Sequence, residues 1–431
     1  MVAKNLSVSF LIAGTIRHLL MLSTFAPYIR DRVEVSTPLN SWKRVLEGAH
    51  LHERGVDPYS GDMYHENPLI LVTTNFLIKN LSPFIPGMFV LIDLLSALFI
   101  FGMARIVARE LLGRQKKEQS TYAKGTEELQ LRDEDEEIIP LYCTVAYLFN
   151  PYSILNCVGQ TTTVFSNLLL SAFFYFMAKR KIIPAVAALV LETQRNFYPG
   201  VLIVPLAIHI YRQEGGCGRC RAIRSILLFI LGLGIVNYGS YLVMNSWTFL
   251  DATYGFILNH RDLQPNIGLF WYFFTEMFDH FRDLFLWTFQ INATVLYLIP
   301  LALKLRNEPL MLATVLAGLG AIFRSYPCVG DVAFYMSLLP MWKFGQKFML
   351  HNFVVGCFFL ITSVLGPVVW HLWIYSASAN ANFYFGVTLA FATAQIFLIT
   401  DLLFAFIKRE FCLKHGLSIS KDGKETRMTL E

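Results

Sequence analysis

Apolar windows of about 20 residues recur along this chain from one end to the other, and nothing else in the sequence limits its fold so strongly. A helix needs roughly that length to cross a bilayer. Hydrocarbon offers no water to unpaired N–H and C=O groups, so such windows can only be helical. Composition agrees. The chain is 55% hydrophobic and 16% charged, where soluble domains carry about 25% charge, and its mean hydropathy is +0.48. Its 37 Phe, 19 Tyr and 7 Trp suit lipid-facing surfaces and interfacial belts. These features point to an all-α, polytopic membrane protein, a single multi-span domain over 1–431.

The spacing predicts spans near 8–27, 85–107, 139–157, 161–178, 182–193, 199–212, 224–244, 283–303, 309–323, 332–344, 350–374 and 383–405, about twelve in all. Three of them (182–193, 199–212 and 332–344) are short for a straight crossing and are expected to be broken or re-entrant. The first window holds Arg17 and His18 and shows no small-residue cleavage site, so it is read as an uncleaved span. With both termini in the cytosol, roughly 25 of the Lys and Arg residues fall on the cytosolic side and about 10 on the other, as the positive-inside rule requires. Segment 68–84, "PLILVTTNFLIKNLSPF", would invert every later loop if it crossed, and Lys79 and Pro83 interrupt it. It is read as an interfacial luminal helix. Loops 28–84 and 245–282 are then luminal; 109–137 is a variable cytosolic loop and 406–431 a cytosolic tail.

The luminal loop carries Glu47, His50, His52, Asp57, Asp62, His65 and Glu66. These could serve a sugar-phosphate or metal site, or form a solvated loop turned by "DPYSG". Asp93, Glu192, Glu276 and Asp401 stand at span depth or near span ends, where an ionisable residue is a functional candidate. Cys217-Gly-Arg-Cys220 lacks the second ligand pair of a zinc site. No nucleophile-elbow, H-E-x-x-H or P-loop pattern occurs, so neither a catalytic residue, a metal nor a cofactor is expected. Nor does any feature call for nucleic acid. Asn80-Leu-Ser82 is a sequon beside the membrane. The strip "WHLWIYSASANANFYF" (370–385) lies between the last two spans. Asn380 and Asn382, two residues apart, can aim both amides one way in an extended turn. With Ser378, Tyr375 and Trp373 they fit sugar hydroxyls and phosphate oxygens at a membrane surface, or an ordinary polar turn within an aromatic belt. Arg219, Arg221, Lys304 and Arg306, just beyond span ends, fit anionic phospholipid head groups or plain positive-inside charge.

The tracts "SWKRVLEGAHLHERGVDPYSGDMYHENPLI", "FNPYSIL", "QPNIGLFWYFFTEMF", "IFRSYPCVGDVAFYM" and "VVWHLWIYSASANANFYFGVTLAF" run across nearly the whole chain. In them the sequence resembles the U-subunit family of the glycosylphosphatidylinositol (GPI) transamidase; 114–136 matches least. The resemblance implies a non-catalytic, multi-pass subunit of an endoplasmic reticulum complex. It also implies partner subunits, one of them caspase-like and carrying the nucleophilic cysteine, and a role in binding the GPI lipid around Asn380 and Asn382. The architecture also looks like the lipid-dependent mannosyltransferases of GPI synthesis, the alternative activity. Those enzymes carry an acidic motif early in the first luminal loop, where this chain reads "RDRVEV": Asp31 and Glu34 are present at the wrong spacing. A transporter would call for inverted repeats, and none is evident.

Overall fold

The computed structural model describes residues 2–213, 217–421 and 424–427. In chain order the helices are α1 (Val2–Leu22), α2 (Phe25–Arg30), α3 (Trp42–Glu53), α4 (Pro68–Leu81), α5 (Ile85–Glu118), α6 (Asp135–Leu148), α7 (Pro151–Val158), α8 (Thr163–Ala178), α9 (Ile182–Arg195) and α10 (Ile203–Gln213). They continue as α11 (Gly218–Met244), α12 (Phe256–Asn259), α13 (Phe270–Glu276), α14 (Asp279–Ile291), α15 (Leu298–Lys304), α16 (Pro309–Phe323), α17 (Val329–Leu338), α18 (Asn352–Ile374) and α19 (Ala381–His415). A short antiparallel pair, β1 (Ser418–Lys421) with β2 (Lys424–Arg427), follows.

Each of the twelve apolar windows falls on helix. By length and apolar composition, however, only five helical runs among the described residues can cross a membrane unaided, or six if the bent pair α6–α7 is one span. Boundaries also differ from the loop plan. The first ten residues of the expected 109–137 loop continue α5, and 406–415 of the expected tail continue α19; 422–423 and 428–431 of that tail lie outside the described residues. Residues 119–134 are not a loose loop. Leu129 is buried with Phe348, Ala405, Cys412 and Leu413, and Ala123 N–H donates to Leu413 O at 2.8 Å.

Helix α4 runs through a short 3-10 turn into α5, so that Pro68–Thr121 is one helical stretch of 54 residues. Straight, it would be about 80 Å long, far beyond a hydrocarbon core of about 30 Å. Instead both ends of α4 stay at one end of the bundle. Asn67 at its start donates to Gln194 at the end of α9 and accepts from Ser240 near the end of α11. Ile78 near its finish packs with Trp42, Phe89 and Val164, at the starts of α3, α5 and α8.

The sequence window 139–157 is broken, with α6 and α7 meeting at 48°. The cause is local: Asn150 accepts from Tyr152 N–H at 2.9 Å, and Pro151 occupies the first turn of α7, a helix start inside an apolar run. The break frees backbone carbonyls that hydrocarbon could not satisfy. Arg17 of α1 takes one of them, donating to Leu148 O at 2.8 Å, and its NH2 group donates to Ser153 Oγ at 3.1 Å. Its Nε meets Asp93 Oδ2 at 2.6 Å, and Tyr147 O–H donates to Asp93 Oδ1 at 2.7 Å. Arg17, Asp93 and Tyr147 have no exposed surface. One buried ion pair thus ties α1, α5, α6 and α7, with its remaining polar atoms hydrogen-bonded as such a pair demands. Around it lies the main apolar core, including Ile100, Met103, Phe173, Leu189, Val315 and Phe334.

Candidate site at the α18–α19 turn

Helix α18 ends by wrapping back on itself. Tyr375 and Ser376 N–H groups donate to His371 O, Ser378 N–H donates to Leu372 O at 2.9 Å, and Ala377 takes the left-handed conformation at φ 49°. Asn380 then caps α19, its Oδ1 accepting from Asn382 N–H at 3.0 Å and Phe383 N–H at 3.3 Å. Asn382 Oδ1 accepts from Tyr272 O–H of α13, and the Tyr272 ring stacks on Phe385 at 4.4 Å. The two carbonyl oxygens are therefore committed to the fold. The amide NH2 groups have no partner among the described residues, and both side chains are exposed. Trp373 joins a cluster with Trp271, Trp370 and Tyr384. Tyr375 stands exposed, stacked on His371 at 5.2 Å, and Ser378 is exposed beside it.

One helical turn inward from Asn380, the same hairpin forms the wall of a groove of about 320 Å³. The opposite wall is the segment Tyr28–Val35 with Pro151, Tyr152 and Leu155 of α7. Its lining is mostly apolar, with the Tyr152 hydroxyl meeting Ser363 Oγ at 2.6 Å, Thr362 and Thr388 nearby, and its only charged side chains, Arg32 and Glu34, at one place. Arg32 clasps Glu34 through two bonds, Nε to Oε2 at 2.9 Å and NH2 to Oε1 at 2.7 Å. Tyr384 O–H donates to the same Oε1 at 3.2 Å. Gly366 of α18 passes close by, 3.6 Å from Glu34 Oε1 to where a Cβ would stand, an ordinary contact distance. From Tyr384 the lining continues along α19 to Phe391, seven residues or about 10 Å further. The groove thus has its charged groups at the end next to the turn and is mostly apolar deeper in the bundle.

Sequence reasoning set Asp31 and Glu34 aside because of their spacing. The structure turns them apart: Asp31 pairs with Lys43 at the exposed surface, while Glu34 faces the groove. Arg32 was missed as a site residue, and Tyr384, expected only as one of the aromatics flanking the strip, reaches Glu34 with its hydroxyl. The one available signal was the charge density of "RDRVEV", because the groove's walls come from three distant stretches of chain.

The loop carboxylates and histidines do not converge. Asp57 caps a turn by accepting from Tyr59 N–H; Glu66 pairs with Arg195 at 2.8 Å. His65 is buried against Phe256, ring centroids 3.6 Å apart, with Nδ1 2.8 Å from Ala252 O; burial lowers its pKa to about 4. Glu47 and His50 are exposed. Among the described residues no three His, Cys, Asp or Glu side chains are grouped to hold a metal. Of the other candidates, Glu192 is buried and Glu276 exposed. Asp401 accepts from His351 N at 2.6 Å. Cys328 lies buried at the start of α17, where burial pushes its thiol up to about 12. Arg219, Arg221, Lys304 and Arg306 are exposed at the other end of the bundle, around the end of α10, where Arg212 donates to Asn307 O.

A family model described as GPI transamidase subunit PIG-U matches residues 11–391. The chain is 38% identical to the GPI-anchor transamidase component PIGU of Homo sapiens over an alignment of 439 positions covering 100% of both chains. It is 31% identical to the GPI transamidase component GAB1 homolog of Schizosaccharomyces pombe, over 95% of this chain and 94% of that one. With the GPI transamidase component GAB1 of Saccharomyces cerevisiae it shares 27% identity over 88% of each chain.

Proposed function

Since the chain belongs to the GPI transamidase subunit PIG-U family, we propose that it is a non-catalytic, multi-pass subunit of that complex in the endoplasmic reticulum membrane. In this reading it holds the GPI lipid while a caspase-like partner subunit performs the transamidation. The observation that carries it is the groove: mostly apolar, charged at one end, and opening beside a turn whose two amide NH2 groups have no partner among the described residues. Acyl chain would occupy the apolar part, and glycan hydroxyls would accept from Asn380 and Asn382 above it. Trp373, Tyr375 and Ser378 would flank the head group. At the opposite end, Arg219, Arg221, Lys304 and Arg306 would attract anionic phospholipids.

The test uses N380D/N382D. Aspartates keep the cap on α19 and the acceptor for Tyr272 but lose the NH2 donors. Surface GPI-anchored protein is expected to fall several-fold while the complex still assembles, and complete, ethanolamine-capped GPI should accumulate. Wild-type attachment in this variant would remove the amide reading. In cells lacking the protein, accumulation of a glycan short of a mannose would make the chain a transferase instead.

A further inference from the structure

The stretch "RDRVEV" has no part in the amide reading, yet it forms the polar end of the groove. We infer that Arg32 is the residue that binds the phosphodiester joining the GPI glycan to its lipid, with Glu34 and Tyr384 positioning it. The inference rests on the groove being the GPI site.

Donor accounting supports it. A guanidinium has five N–H donors. Arg32 gives two to Glu34 and one to Tyr28 O–H at 3.3 Å. Two remain, one on each terminal nitrogen, without a partner among the described residues. Two donors side by side match two phosphate oxygens, a geometry a lysine cannot reproduce. Glu34 grips the other edge of the guanidinium, while its own backbone is held by Val329 N–H donating to Glu34 O at 3.0 Å. Tyr384, fully buried, fixes the carboxylate from α19. The free edge is therefore pre-oriented, and little side-chain entropy is lost on binding.

Position agrees. Arg32 lines the groove at the Tyr384 end, between the exposed amides above and the apolar lining below. In a GPI lipid the phosphodiester likewise stands between glycan and acyl chains.

The experiment titrates the assembled complex in phosphatidylcholine nanodiscs with two synthetic GPI lipids. They differ only at this linkage: a native phosphodiester or a neutral methylphosphonate. The wild type should prefer the phosphodiester by roughly tenfold or more. Arg32→Gln should abolish that preference, and Arg32→Lys should restore only part of it. Absence of the preference in the wild type, a result that needs no variant to fold, overturns the assignment; so does its survival in Arg32→Gln. Val387→Trp, which fills the apolar part of the groove, separates the two levels. If it leaves both affinities unchanged, the groove is not the GPI site and the underlying reading fails as well.

Discussion

Two histidines outside the long helices are buried as neutral rings. Burial lowers His65 to about 4, and burial together with the nearby Arg282 charge lowers His260 to about 3, from an ordinary value of 6.5. Between about pH 6.5 and 4 the unfolded chain binds protons at these sites that the folded chain does not, so stability falls as pH falls through that window. Each histidine contributes about 1.4 kcal/mol per pH unit there. The melting temperature in nanodiscs should drop from pH 7 to pH 5, and His65→Gln should flatten that slope; an unchanged slope would mean that His65 already titrates in the fold. Residue roles were the least legible part of the sequence. Asn380 was singled out there for its amide, but its carbonyl turns out to cap a helix, which the pattern Asn380 followed by an apolar run could have announced. Arg32 was signalled only by the charge density of "RDRVEV", because its place depends on Tyr384, 352 positions away and joined to it through Glu34.

At the scale of elements, the apolar windows located the helices well, since a run of 20 apolar residues has no other stable form in hydrocarbon. Breaks were harder. "FNPYS" holds the Asn-Pro start signal that bends α6 from α7, yet hydropathy alone runs straight through it. The segment 119–134, expected as a loop, is charged and irregular between α5 and α6, and it also packs an apolar anchor beneath α19. Leu129 is only 1% exposed there, and Arg409 donates to its carbonyl at 2.9 Å. Leu129→Ala should cost about 2–5 kcal/mol if that anchor is real. A solvated loop would lose less than about 0.5 kcal/mol, and thermal melts of the purified complex separate the two.

The whole molecule has two unlike ends. One holds the α18–α19 turn, the groove mouth and α4 lying across the bundle. The other is laced with ion pairs such as Lys343–Asp135 and Arg180–Glu110 and carries the exposed Cys217 and Cys220. If the basic end is cytosolic, a membrane-impermeant maleimide should label Cys217 and Cys220 in microsomes whose cytosolic face is outward. Cys143, Cys157 and Cys328, all buried, should stay unlabelled until the protein unfolds. Labelling of the exposed pair only from the luminal side would invert the molecule. The ion pair at the centre of the bundle has a consequence for how the chain is made. Arg17 is translated 76 residues before Asp93, which at about 5–20 residues per second is roughly 4–15 s. Through that interval a lone guanidinium in the first helix costs about 2.5–3.5 kcal/mol to leave in the bilayer. The helix gains its carboxylate only when α5 emerges, and the carbonyl of Leu148 later still. We therefore expect the first segment to stay beside the insertion machinery until α5 emerges, which crosslinking of ribosome-bound chains truncated before and after Asp93 would check.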